Sequence, residues 1–246
     1  MRLSRFLARA GVTSRRGAAD LVASGRVRVN GTLPTGPGDP IDLVSDRVTL
    51  EGRPLEVAAA DWLALHKPAG YVTSRAASPR HPSVFALLQR AAPGIVTIGR
   101  LDVFSEGLLL CTTDGGAAHR LMHPRWQVPR SYLVEVTGRL PAASRAQLDR
   151  GVRLPDEARP VKPSSWRFRP AGERGLLELE LREGRSRVVR RLCAALDLGI
   201  RRLVRTGYGP VRLGELAAGA ARPLTDRELR ALYGAIGLPA PSDSNT

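Results

Sequence analysis

The sequence predicts an α+β fold in which a small N-terminal unit precedes a larger one. Three observations carry this. Short apolar runs of strand length recur along the 246 residues among segments of helical periodicity, yet the two do not alternate strictly, as a doubly wound parallel sheet requires. Val57-Ala58-Ala59-Ala60-Asp61 lies between two separate apolar patterns and is expected to be a linker over residues 57–61. A hydrophobic content of 43% supports a real core, in one large domain or in a small domain beside a medium one.

Leu3, Phe6, Leu7 and Ala10 fall at i, i+3, i+4 and i+7, which predicts an amphipathic helix that Gly11 stops. Ser14 can cap a second helix through about Ala23, Gly25 ends it, and Val27-Arg28-Val29 is a short strand turned by Asn30-Gly31. Thr32 to Pro40 is rich in proline and glycine, and short strands between Ile41 and Val57 close the small unit, residues 1–56. The larger unit, residues 62–240, opens on a strand at Trp62-Leu63-Ala64-Leu65. Further strands are expected at Ile95 to Ile98, Leu108 to Cys111, Tyr132 to Val136, Leu176 to Leu181 and Arg201 to Thr206. Helical patterns cover Asp114 to Met122, Ser144 to Arg150, Arg187 to Leu196 and Asp226 to Ile236. The polar tail, residues 241–246, is expected to be disordered.

The formal net charge of +15 repels itself unless a polyanion neutralises it in use, and nucleic acid is the first suspect. Lys67 and Lys162 are the sole lysines, so the positive charge is nearly all arginine, which binds phosphate at two points and stacks on bases. A GC-rich coding sequence would produce the same bias. Between Met1 and Gly31 seven arginines face one acid, Asp20; between Arg182 and Arg205 eight face Glu183 and Asp197. Cys111 and Cys193 lack any paired spacing and are expected to be reduced core residues. Charges interrupt every apolar run, so neither a signal segment nor a membrane span is expected, and the cytoplasm is the expected compartment.

The segment Gly99-Arg100-Leu101-Asp102-Val103-Phe104-Ser105-Glu106-Gly107-Leu108-Leu109-Leu110 sets one carboxylate in a glycine-bounded loop between two buried strands. A carboxylate there is partly desolvated and is either paired or functional. By itself an Arg-Leu-Asp triplet is more often a loop cap than a site. His119 and His123 stand at i and i+4 without a third ligand, so no metal site is expected. Neither a phosphate-cradling glycine loop with its lysine nor a Gly-x-Ser-x-Gly elbow occurs.

The run from Gly99 to Thr113-Asp114-Gly115 resembles the catalytic motif of the bacterial ribosomal-RNA pseudouridine synthases, in which the aspartate matching Asp102 is essential. Three further segments resemble the same family: Lys67-Pro68-Ala69-Gly70, Arg130-Ser131-Tyr132, and Glu183-Gly184-Arg185-Ser186-Arg187-Val188-Val189-Arg190-Arg191. In the last, Ser186 and Val188 replace the family's asparagine and glutamine, which puts the contacts of those amides in doubt. Two short basic helices followed by Gly25-Arg26-Val27-Arg28-Val29-Asn30-Gly31 resemble the S4 RNA-binding domain. The resemblance implies an S4-like domain beside a catalytic domain on a mixed, mainly antiparallel sheet, with Asp102, Tyr132 and Arg190 as catalytic residues and Leu192 in the base pocket. Arg5, Arg9, Arg15, Arg16, Arg26, Arg28, Arg130, Arg185 and Arg187 are the expected RNA contacts.

Such an enzyme isomerises uridine in ribosomal RNA, free or in a pre-ribosomal particle, with no cofactor, no metal and no membrane; a monomer is expected. Leu121-Met122-His123-Pro124-Arg125-Trp126 and Tyr208-Gly209-Pro210-Val211-Arg212-Leu213-Gly214 resemble the branch acting on large-subunit RNA, which favours 23S over 16S rRNA. The alternatives are a 16S enzyme and a non-catalytic ribosome-assembly factor on the same scaffold.

Overall fold

A computed structural model describes residues 1–14, 16–42, 45–56, 60–88, 91–92, 94–155 and 157–240. Arg15, residues 57–59 of the expected linker and the tail 241–246 therefore lie outside the described residues. The first helix, α1 (Leu3–Arg9), buries Leu3, Phe6 and Leu7 against Ala18 and Val22 of α2 (Ala18–Ala23) and against Val27, Ile41 and Val48. Ser14 sits one turn ahead of α2, where its hydroxyl accepts the Gly17 N–H at 3.0 Å, so it caps the entry turn and not the helix itself. Strands β1 (Val27–Val29), β2 (Val48–Leu50) and β3 (Arg53–Pro54) form a three-stranded sheet. After β1 the chain reverses at Asn30 and Gly31, both left-handed with φ of 50° and 81°, while Val29 and Thr32 exchange backbone hydrogen bonds. An Asn-Gly pair suits that two-residue turn.

The remaining elements are β4 (Trp62–Lys67), β5 (Val96–Thr97), β6 (Glu106–Thr112), α3 (Gly115–Met122), β7 (Arg130–Thr137), α4 (Ala142–Arg150), β8 (Ser165–Ala171), β9 (Arg174–Leu181), α5 (Val188–Ala195), β10 (Gly199–Tyr208), β11 (Val211–Arg212), β12 (Ala221–Pro223) and α6 (Asp226–Gly234). Nine strands make one mixed sheet in the order β12-β4-β6-β10-β7-β9-β8, with β5 added to β6 and β11 to β10. Its pairings are antiparallel except β6 with β10.

Leu108 and Leu110 of β6 face a core shared with α3 and α6, whereas Leu109 and Cys111 face a second core with Leu65, Val84, Leu88, Ile95 and Leu101. Burial on both faces explains why this strand is an unbroken apolar run. A third core lies between α4, α5 and the β7–β9 strands. Within the expected linker, Ala60 already packs on the large core and Asp61 accepts the Ala92 N–H at 3.2 Å, so the chain is docked there by residue 60.

Candidate active site

Strand register lines up the site. Glu106 and Gly107 of β6 stand opposite Val204 and Arg205 of β10, and Arg205 in turn stands opposite Tyr132 of β7. The loop entering β6, which carries Asp102, thus shares one row with Arg205 and Tyr132. A register shift in β10 between Arg205 and Gly207 breaks the ladder beside this row, a common device for aiming a side chain at a site. Gly107 has φ of 104°, and a Cβ there would collide with the Arg205 backbone, so only glycine lets the two strands approach this closely.

Asp102 opens a tight turn in which the Ser105 N–H donates to its carbonyl at 3.0 Å. That turn is held on several sides. The buried Lys67 ammonium donates to the carbonyls of Val103 at 3.1 Å, Ser105 at 2.7 Å and Pro68 at 2.9 Å. The Gly70 N–H donates to Val103 at 2.8 Å, and Thr73 Oγ1 donates to the Leu101 carbonyl at 2.8 Å. Burial pushes the Lys67 ammonium down to about 8, against the pull of Glu106 and Asp102. The Lys67-Pro68-Ala69-Gly70 turn is therefore the seat of the aspartate loop.

Arg190, in the first turn of α5, closes the site from the other side. Its Nε lies 3.5 Å from Asp102 Oδ2, and its Nη2 donates to the Phe104 carbonyl at 3.0 Å and to Ser105 Oγ at 3.1 Å. The preceding Arg187 is left-handed, with φ of 51°, where the loop turns into the helix.

Asp102, Tyr132, Arg130, Arg190, Arg205 and Tyr208 all line one hollow of about 250 Å³. Beneath it, Arg130 Nη2 donates to the Tyr208 hydroxyl at 3.0 Å, and that hydroxyl donates to the Leu121 carbonyl at 2.8 Å. Arg205 Nε donates to the Leu108 carbonyl at 2.7 Å, while its buried Nη2 has no hydrogen-bond partner among the described residues. Both guanidinium groups lie over the Tyr208 ring, at 4.9 Å for Arg130 and 5.3 Å for Arg205. Among the described residues neither is in a salt bridge with a carboxylate. A buried cation without a counter-charge is costly, and the hollow is electropositive as a result.

The structure thus brings Asp102, Tyr132 and Arg190 together. Leu192 does not join them: it is fully buried in the core between α5 and the sheet, and Leu203, Val188 and Val189 supply the apolar wall of the hollow. The expected RNA contacts divide. Arg16, Arg26, Arg28 and Arg187 are exposed. Arg9 is half-buried on α1. Arg130 is buried and lines the hollow, so it faces the site and not the outer surface. Arg185 is turned inward, bound to Glu183, to Glu157 at 3.2 Å and to the Arg159 carbonyl at 2.8 Å, so it braces its loop. Arg5 pairs with Asp114 Oδ1 at 2.7 Å. That carboxylate also caps α3 and accepts the Tyr233 hydroxyl at 2.9 Å.

Sequence reading missed Lys67, Arg205 and Tyr208 as site residues. One signal was available: Lys67 is one of two lysines in an arginine-rich chain, and it ends an apolar strand. Among the described residues no cluster of His, Cys, Asp or Glu side chains could hold a metal ion, and His119 and His123 stand as a ring pair 5.7 Å apart. Cys111 and Cys193 are free and buried, and burial pushes both thiols up to about 12.

Comparison with known proteins identifies the family. Residues 61–195 match the family model described as RNA pseudouridylate synthase, and residues 1–48 match the S4 domain. An uncharacterized RNA pseudouridine synthase of Aquifex aeolicus is 35% identical over 97% of this chain and 96% of its own. The ribosomal large subunit pseudouridine synthase B of Bacillus subtilis is 33% identical over 94% of this chain and 95% of its own. A crystal structure of a pseudouridylate synthase superposes with a TM-score of 0.65 at 29% identity, covering 94% of this chain and 99% of that one.

Proposed function

Because the chain belongs to the RNA pseudouridine synthase family, we propose that it isomerises a uridine of 23S rRNA, with Asp102 as the reacting carboxylate. In this reaction the C1′–N1 bond breaks, a C1′–C5 bond forms, the C5 hydrogen leaves and N1 takes up a proton. Composition is unchanged, so the chemistry consumes no redox partner and transfers no group. The observation that carries the reading is the shared hollow: Asp102, held by Arg190, opens onto the same space as the Tyr132 ring and two guanidinium groups with no acidic partner among the described residues.

Asp102 acts at the sugar or the base as nucleophile or proton acceptor. Unstacking a base to reach it costs a few kcal/mol, and a Tyr132 platform offsets part of that. Arg130 and Arg205 favour negative charge on the detached uracil from preset positions. Residues 1–56 form the RNA-gripping unit and residues 62–240 the catalytic one, acting as a monomer in the cytoplasm on rRNA or a pre-ribosomal particle. The large-subunit relative supports 23S over 16S.

Unmodified 23S and 16S transcripts, incubated with the protein and mapped for pseudouridine, test this. A new pseudouridine in 23S is expected, absent with Asp102→Asn although that variant binds RNA as the parent does. Conversion in 16S alone overturns the target; turnover by Asp102→Asn within a few-fold of the parent overturns the role of the carboxylate.

A further inference from the structure

Phe104 lies two residues beyond Asp102, and at 67% exposure it is the most exposed large apolar side chain among the described residues. A lone exposed apolar residue ordinarily needs no explanation. This one differs in its mounting. It occupies the third position of the Asp102 turn, whose backbone is fixed by Lys67, Gly70 and Arg190, the last through the Phe104 carbonyl itself. The ring is displayed on a rigid support without being buried by it.

Its aromatic neighbour is His81, edge to face at 5.7 Å and 87°, with His81 Nδ1 3.0 Å from the Gly70 carbonyl. Beside the pair is a second hollow of about 440 Å³ that adjoins the first at Asp102, where Thr73, Ser74, Arg100, Arg187 and Phe104 contribute walls. Its size is in the range that holds a small ligand, and its charged groups are cationic apart from Asp102. An aromatic face and arginines beside a reacting carboxylate match a nucleotide: the ring takes a base and the guanidinium groups take the phosphate.

We propose that Phe104, backed by His81, is a stacking step for the base next to the target uridine, with Arg100 and Arg187 on the connecting phosphate. This rests on the reading of the chain as an rRNA pseudouridine synthase. Two hollows meeting at Asp102 then serve two nucleotides, the flipped uridine in one and its neighbour in the other. The neighbour, stacked on the protein, is kept from following the uridine back into the RNA stack.

A short single-stranded RNA with 2-aminopurine flanking one uridine, bound to the protein carrying Asp102→Asn, reports the stacking directly. Fluorescence at one flanking position is expected to be quenched on binding, to recover when Phe104→Ala is added, and to stay quenched with Phe104→Trp. On 23S transcripts with Asp102 intact, Phe104→Ala is expected to lower kcat/KM roughly ten-fold, mostly through KM, with Phe104→Trp restoring most of the loss. Thermal unfolding of Phe104→Ala should match the parent, because the ring buries little. Quenching that persists in Phe104→Ala, or is absent from the start, overturns the subsite. Failure of the parent to form pseudouridine in any rRNA instead overturns the enzyme reading, and the fluorescence result still decides the subsite.

Discussion

Arg190 serves three groups at once: the Asp102 carboxylate, the Phe104 carbonyl and the Ser105 hydroxyl. A lysine offers a single point of attachment in place of a planar fork, so Arg190→Lys keeps the charge and loses the geometry. Turnover is expected to fall roughly a hundred-fold in that variant, with little change in RNA affinity, as measured by single-turnover conversion. A rate equal to the parent would show that the pairing does not position the carboxylate. At this scale the sequence was legible where spacing carried it, since Asp102, Tyr132 and Arg190 each sit in a recognisable run. Leu192 failed because it lies on the same buried face of α5 as Val188 and Val189 but one turn further along, and the hollow is lined by the helix's first turn and not its second. Arg205 was hidden for a related reason. Its role comes from standing opposite Tyr132 across a strand pair, a relation invisible until the strands are paired.

The two turns at residues 67–70 and 102–105 act as one element, joined through the buried ammonium of Lys67. Three carbonyls need three donors, and a neutral amine has two. Activity is therefore expected to decline as pH rises through about 8, the value to which burial lowers Lys67. Stability moves the other way. With the folded value below the ordinary 10.5, the unfolded chain holds more protons between about 8 and 10.5, so raising the pH through that window adds to this residue's contribution to folding. A pH–rate profile and urea midpoints over the same range check both signs. Lys67→Met should abolish the alkaline fall in rate attributable to this group and lower kcat throughout. Among the strands, β8 escaped sequence reading because it is an edge strand whose alternation is confined to Trp166-Arg167-Phe168-Arg169, with mostly exposed side chains and a proline at residue 170. The helices were readable to within a few residues, although α4 buries Leu148 alone.

Across the whole molecule, the N-terminal core and the sheet cores are built from separate residues and meet where Arg5 reaches Asp114. Removing residues 1–56 is expected to leave a folded remainder that binds RNA more weakly. The log–log salt slope should be shallower by about 0.9 for each phosphate that is no longer neutralised. Single substitutions sharpen this: Arg28→Ala should flatten the slope measured by fluorescence anisotropy, whereas Arg5→Ala should not, because Arg5 is already committed to Asp114. An unchanged slope in the truncated protein would mean that the exposed N-terminal arginines do not touch phosphate. Charge and composition made the basic N-terminal unit legible, but not the inward turn of Arg5. That depends on an acid more than a hundred residues away in sequence.

The junction also fixes an order of events during synthesis. Arg5 belongs to the first helix, Asp114 to the start of α3 and Tyr233 to the last helix, so the contact needs groups from the beginning, middle and end of the chain. A nascent polypeptide emerges N-terminus first, and the core of residues 3–48 is complete long before α6 has been made. Every residue of the basic unit's core is thus present while the rest of the chain is still being made. Arg5 meets one oxygen of Asp114, and the other oxygen is left to wait for the Tyr233 hydroxyl of the last helix.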